Sequence, residues 1–149
     1  MKKTLLLISF AVSLLCLSTQ AQVLNSVSLS SNSIPIAATN PVASTPWFVG
    51  GQKQCTLFVS VTPATNTVGV AVGTGSSTFT VSGSPAATGG TFYALNTNGS
   101  VTLTYNGTNT VSGYLVVDTT MFQQLEIASV SNTGTNLVWT NAVASYLLK

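Results

Sequence analysis

The chemistry open to this chain is bounded by its very few ionisable side chains. Its only acids are Asp118 and Glu126, and it contains no histidine. A pair of carboxylates about 5 to 9.5 Å apart is the machinery of glycoside hydrolysis. The spacing of these two acids across a predicted turn permits such a pair, but a sugar-cleaving cleft also needs further polar and charged groups, which the chain lacks. We therefore predict no catalytic residue.

The remaining reactive groups do not complete another familiar site. Without histidine, neither Cys55 nor the many serines and threonines have the usual general base, and a zinc site lacks its commonest ligand. No cofactor and no metal is predicted. Two ideas stay open. Backbone carbonyls together with Asp118 or Glu126 could hold calcium. Lys53 could form an amide cross-link with an Asn or Asp side chain, helped by a nearby acid, as in surface domains that resemble pilins and adhesins.

The first 21 residues have the three parts of a cleavable secretory signal peptide. Two lysines form a short basic region, residues 4–17 are an uncharged apolar run, and small residues precede a cut between Ala21 and Gln22. The apolar run is shorter than the roughly 17–25 residues of a transmembrane helix, so we expect no stable membrane span after cleavage. The predicted location is secreted, cell-surface or periplasmic.

Removal of this leader leaves a chain with almost no charge. The remaining lysines, Lys53 and Lys149, balance the two acids. A neutral chain has no clustered cations for nucleic-acid phosphates or anionic lipids, so we predict neither as a partner. Low net charge also leaves little repulsion between copies, which favours a homo-oligomer or larger assembly.

A single cysteine, Cys55, remains because Cys16 leaves with the leader. Cys55 therefore has no partner for a disulfide within its own chain. Its apolar surroundings favour a buried free thiol, and the functional alternative is an intermolecular thiol that bridges two copies.

The rest of the chain has the pattern of an all-β domain. Short β-prone runs alternate polar and apolar residues and are broken repeatedly by Gly, Asn, Ser and Pro. We count nine or ten strands, whose spacing favours an antiparallel β-sandwich of immunoglobulin-like or jelly-roll type. Residues 47–149 form the predicted sandwich, and residues 22–46 form an N-terminal strand segment punctuated by prolines, within a single domain.

Local turn signals also predict how neighbouring strands connect. Asn106-Gly107 is the strongest of these signals, because both residues tolerate a positive φ. The three predicted hairpins are 54–62 with 67–72, 123–131 with 136–140, and one around Asn106-Gly107.

Aromatic side chains offer the domain a way to bind carbohydrate, since rings can stack on sugars. Most of the aromatic residues are expected to lie in the core. The candidates to face a ligand are Trp47, which follows Pro46 in a loop-like context, and Tyr105 and Tyr114, which flank the Asn106-Gly107 turn.

In its abundance of Thr, Ser, Asn, Gly and Val, the chain resembles bacterial surface-layer, fimbrial and virion structural proteins. The resemblance is one of composition and carries over no residue roles. It implies a non-enzymatic structural or adhesive domain that can assemble with itself, and residues 22–46 are the segment expected to exchange between subunits. The alternative is a carbohydrate-binding module whose partner is a surface glycan.

Overall fold

Within the residues that are described, ten strands form two antiparallel sheets that pack face to face in the computed structural model. The structure describes residues 23–29, 39–40, 44–64, 74–96, 98–107, 109–134 and 138–149. The predicted β-sandwich is confirmed. Within the described residues, no helix is long and apolar enough to span a membrane. The strands are β1 (Asn25–Val27), β2 (Thr39–Asn40), β3 (Trp47–Phe48), β4 (Gln54–Ala64), β5 (Thr74–Ser84), β6 (Tyr93–Ala94), β7 (Ser100–Asn106), β8 (Val111–Asp118), β9 (Gln124–Gly134) and β10 (Val138–Leu148).

The first sheet has the order β1-β10-β4-β8. In the second sheet β9 and β5 form the centre. The short strands β2 and β3 share the outer edge of β9, while β6 and β7 share the outer edge of β5. Each sheet is therefore built on two long central strands, with shorter strands along most of its outer edges.

Alternation along the strands places the core between the sheets. In β4 the side chains of Cys55, Leu57, Val59 and Val61 are buried, whereas those between them point outward. A register slip of one residue would expose this whole set, so burial on one face fixes the pairing. From the second sheet, the largest fully buried side chains are Phe79, Leu125, Ile127, Val81 and Val130.

The first sheet holds β4, β8 and β10 and the second holds β5, β7 and β9, which corrects the hairpins predicted around Asn106-Gly107 and for 123–131 with 136–140. The segment 67–72 of the remaining predicted hairpin lies outside the described residues, and β4 pairs with β10 on one edge and with β8 on the other. β7 pairs with β5 and β8 with β4, so Asn106-Gly107 joins the two sheets instead of two neighbours in one sheet. β9 and β10 are likewise in different sheets.

The N-terminal arm is defined here as the described residues between 23 and 48, namely 23–29, 39–40 and 44–48, and it lies along one side of the sandwich. Its strand β1 extends the edge of the first sheet beside β10, and β2 and β3 extend the edge of the second sheet beside β9. Ser44 joins the two parts, because it bridges Leu29 and its backbone N–H donates to the carbonyl of Ile127 at 3.1 Å. The arm thus closes the side on which the sheets would otherwise be open.

Candidate functional site

The described surface has a groove at one end of the sandwich, with a volume of about 850 Å³. Small-molecule sites commonly enclose about 300–1,000 Å³. The groove lies between β6 and the turn that follows β8. Its lining residues are Pro85, Tyr93, Ala94, Leu95, Asn96, Val117, Asp118, Thr120, Met121 and Phe122.

The floor of the groove depends on a glycine in β5. Gly83 pairs with Tyr93 of β6, and a Cβ at position 83 would lie only 2.5 Å from Cδ1 of Phe122. Because Gly83 has no side chain, the Phe122 ring can rest directly on the strand. This packing places Phe122 and Tyr93 along the same short stretch of β5.

Hydrogen bonds hold the turn that forms the opposite wall. The Thr119 hydroxyl donates to the carbonyl of Gln52 at 2.7 Å, and its backbone N–H donates to the carbonyl of Lys53 at 3.1 Å. The backbone N–H of Gln123 donates to the carbonyl of Ser84 at 2.8 Å. The turn is therefore tied both to the start of β4 and to the end of β5, which fixes the shape of the groove.

Asp118 provides the charged group of the groove. Its Oδ1 accepts hydrogen bonds from the hydroxyl and from the backbone N–H of Thr120. These bonds stabilise the carboxylate and lower the pKa of Asp118 below its ordinary value. In the described residues no hydrogen bond engages Oδ2, so this oxygen faces solvent as a free acceptor.

Two of the three aromatic residues predicted to face a ligand are instead buried. Trp47 is 7% exposed and stacks on Tyr146 with ring centroids 5.4 Å apart. Tyr105 is buried, and its hydroxyl donates to Oδ1 of Asn132, which also accepts a hydrogen bond from Ser77. Neither ring has a face open to a sugar, because packing between the sheets covers both.

Tyr114 lies where a ligand could reach it. It is 66% exposed on the outer face of the first sheet, beside its cross-strand partner Phe58. The two rings are tilted by 43° with centroids 6.4 Å apart, so they do not form one flat platform. Tyr114 lies on β8 a few residues before Val117 and Asp118, and it is not among the residues that line the groove.

Cys55 is a fully buried free thiol, as its apolar surroundings indicate. Burial raises the pKa of the thiol to about 11, and the nearby Trp47 side chain opposes part of this rise. Yet Nε1 of Trp47 has no hydrogen-bond partner of normal geometry within the described residues. An intermolecular bridge at Cys55 would require the domain to open first.

We predict that Cys55 reacts very slowly with an aromatic disulfide reagent at pH 8. At this pH a thiol with a pKa of about 11 carries about 100-fold less thiolate than one with a pKa of 9.0, and burial also blocks access. The rate of absorbance change should therefore be at least 100-fold lower in buffer than in denaturant. Rates within tenfold of each other would contradict the burial of this thiol.

The structure separates the remaining predicted chemical groups. Asp118 ends β8 in the first sheet, whereas Glu126 lies on β9 in the second, where it accepts a hydrogen bond from the hydroxyl of Ser82. Lys53 is exposed, so it lacks the burial that an amide cross-link needs. In the part of the chain that the structure describes, no three His, Cys, Asp or Glu residues come together as metal ligands. The signal-cleavage residues Ala21 and Gln22 lie outside the described residues.

Sequence reasoning did not select the groove-lining residues Tyr93, Met121 and Phe122. Tyr93 is 56% exposed and Met121 81% exposed. Both residues lie near segments typical of loops, since Phe92-Tyr93 follows the small residues 83–91 and Met121 follows Asp118-Thr119-Thr120 at the end of a strand. The local sequence does not indicate that β5 brings these two segments together.

Comparisons with known proteins add no family to this picture. No protein-family model matches the chain, and no curated protein matches it at a significant level. The function is therefore argued from the chain's own geometry.

Proposed function

We propose that this protein is a non-enzymatic secreted or cell-surface structural domain that assembles with copies of itself by exchanging its N-terminal arm. The observation that carries the proposal is the position of the arm. It extends the edges of both sheets and closes one side of the sandwich, using strands of only two or three residues.

Short edge strands suit exchange because the same contacts can be made within a chain or between chains. In the described part of the arm, two hydrogen bonds tie Ser44 to β9: its N–H donates to the carbonyl of Ile127 at 3.1 Å, and the N–H of Ile127 donates to Oγ of Ser44 at 2.9 Å. An arm from a second copy could form identical bonds, so exchange changes little in the free energy of each domain. Linking copies in this way builds an assembly from an existing fold.

The surface supports association of this kind. Charged residues make up only 4% of the sequence, against about 25% in typical domains, so repulsion between copies is small. On the side away from the arm, β8 is an eight-residue edge strand without proline or lysine, the residues that usually protect an edge from pairing. The outer edge of β8 therefore provides a second site at which another copy could pair.

The proposal is tested with a disulfide that ties the arm to its own domain. Ser26 of β1 and Ser145 of β10 are Cα partners on the outer face, at a separation that a disulfide spans. We expect Ser26→Cys with Ser145→Cys, oxidised in dilute solution, to stay monomeric by light scattering at concentrations where the unmodified protein assembles. Reduction should restore assembly. Oxidation after assembly should instead give covalent dimers and longer ladders on a non-reducing gel.

The matched control places a disulfide in the second sheet, away from both the arm and the outer edge of β8. Thr78 and Thr102 are Cα partners on β5 and β7. Thr78→Cys with Thr102→Cys should leave assembly unchanged. The proposal fails if the unmodified protein, with residues 1–21 removed, is a monomer at every concentration, or if the arm-locked form assembles as readily as the control.

A further inference from the structure

We propose that the groove between β6 and the turn after β8 is a binding site for an uncharged carbohydrate. This goes beyond the proposed assembly role and does not depend on it, since the groove is built without any residue of the N-terminal arm.

The apolar part of the lining is unusually exposed for side chains of its type. More than half of the Tyr93 surface and most of the Met121 side chain are open to solvent. Tyr93 belongs to a two-residue strand at the sheet edge, where its ring packs into no core. An exposed ring at the mouth of a fixed groove provides a flat face for the C–H groups of a pyranose ring, which form the apolar side of a sugar.

The polar part of the lining matches sugar hydroxyls. Asp118 offers a free carboxylate oxygen as an acceptor, held in place by its two bonds to Thr120. Asn96 adds an amide that both donates and accepts, and Thr120 adds a hydroxyl. Hydroxyl groups also donate and accept, so a polyol can satisfy all three side chains at once.

Charge selects between possible ligands. The one ionised group among the lining residues is the Asp118 carboxylate, and no Lys or Arg lines the groove. Phosphorylated, sulfated or uronic-acid ligands would be repelled by the Asp118 carboxylate, with no Lys or Arg among the lining residues to offset the repulsion. A cationic ligand would find a single carboxylate that already accepts two hydrogen bonds, whereas a neutral glycan uses the carboxylate, the amide and the hydroxyl together.

The turn geometry supports a site that is formed before ligand arrives. The wall carrying Asp118 and Met121 is tied to Gln52, Lys53 and Ser84 by three hydrogen bonds of 2.7–3.1 Å. A wall held in this way loses little conformational freedom when a ligand binds, which favours affinity.

The test is a titration of the protein lacking residues 1–21 with hexasaccharides of β-1,4-linked glucose, xylose, mannose and N-acetylglucosamine. Binding is measured by calorimetry and by changes in amide chemical shifts. We expect at least one neutral hexasaccharide to bind, with shift changes centred on residues 93–96 and 117–122. Tyr93→Ala should weaken this binding at least tenfold, and Asp118→Asn should weaken it several-fold. Hexagalacturonate serves as the anionic probe, and choline and a lysine hexapeptide serve as the cationic probes.

Tyr114→Ala is the matched control, because it removes an equally exposed tyrosine from the outer face of the first sheet. It should leave the affinity within twofold of the unmodified protein. Silence with all four neutral hexasaccharides would overturn the proposal. So would binding that Tyr114→Ala removes and Tyr93→Ala does not, or binding of only the anionic or only the cationic probes.

Discussion

Trp47→Ala is expected to lower the free energy of unfolding by about 3–5 kcal/mol, the usual loss when a large buried aromatic side chain is truncated to alanine. Trp47 is the anchor of the N-terminal arm, since its ring is buried in the core between the sheets and stacks on Tyr146 of β10. Removing it leaves a cavity at the point where the arm joins the sandwich. Urea unfolding followed by tyrosine fluorescence measures the change.

The same variant should expose Cys55, because the indole lies next to the buried thiol. We expect its reaction with the aromatic disulfide reagent at pH 8 to rise at least tenfold under native conditions. Phe48→Ala is the control, since the neighbouring side chain is 54% exposed and its loss should change stability by no more than about 0.5 kcal/mol. A loss below about 1 kcal/mol for Trp47→Ala would show that the arm is not anchored through this ring.

Gly75→Ala is expected to lower the free energy of unfolding by about 1–3 kcal/mol, as overpacking usually does. The direction of this change is informative, because replacing Gly by Ala inside a strand ordinarily raises the free energy of unfolding by roughly 0.5–1 kcal/mol. Here the added Cβ would lie 2.6 Å from the carbonyl oxygen of Thr133 and 2.7 Å from Cε2 of Tyr105. Thr133 belongs to the adjacent strand β9, and the Tyr105 ring is held by its bond to Asn132, so neither neighbour can easily move.

A double-mutant cycle separates the two contacts of Gly75. In a Tyr105→Ala background the ring is gone, so part of the cost of Gly75→Ala should disappear and the two effects should not add. Thr74→Ala, next to it and exposed in the same strand, is the control and should stay within about 0.5 kcal/mol. The change in stability is measured by chemical denaturation. If Gly75→Ala stabilised the protein, the Cβ at position 75 would have more space than the structure shows.

Individual strands were predictable from the sequence, and their partners were not. The alternation of Val101, Leu103 and Tyr105 gives the inward face of β7 directly, because the period of two residues is a property of any half-buried strand. The turn at Asn106-Gly107 was also signalled, and Gly107 does take a positive φ of 99°. A turn residue specifies a local bend, however, and the same bend can return a chain to its own sheet or carry it to the opposite one.

The candidate site was harder to predict for the same reason. Tyr105 flanks a turn, which suggested exposure, but it belongs to the inward set of β7 and its hydroxyl has a buried partner in Asn132. Trp47 follows a proline, yet the arm folds back and carries it into the core. Conversely, Tyr93 and Met121 are distant in sequence and become neighbours only because β5 and β8 end at the same end of the sandwich.

The placement of β10 between β1 and β4 governs how the chain can reach this fold. Cys55 near the start of β4 is opposite Leu148 of β10, far along the sequence. Such pairing between distant parts of a sequence costs the entropy of closing long loops before any contact forms, so folding times of milliseconds to seconds are typical. The first sheet also stays incomplete until β10 inserts between β1 and β4, which leaves the facing edges of these two strands unpaired until β10 folds.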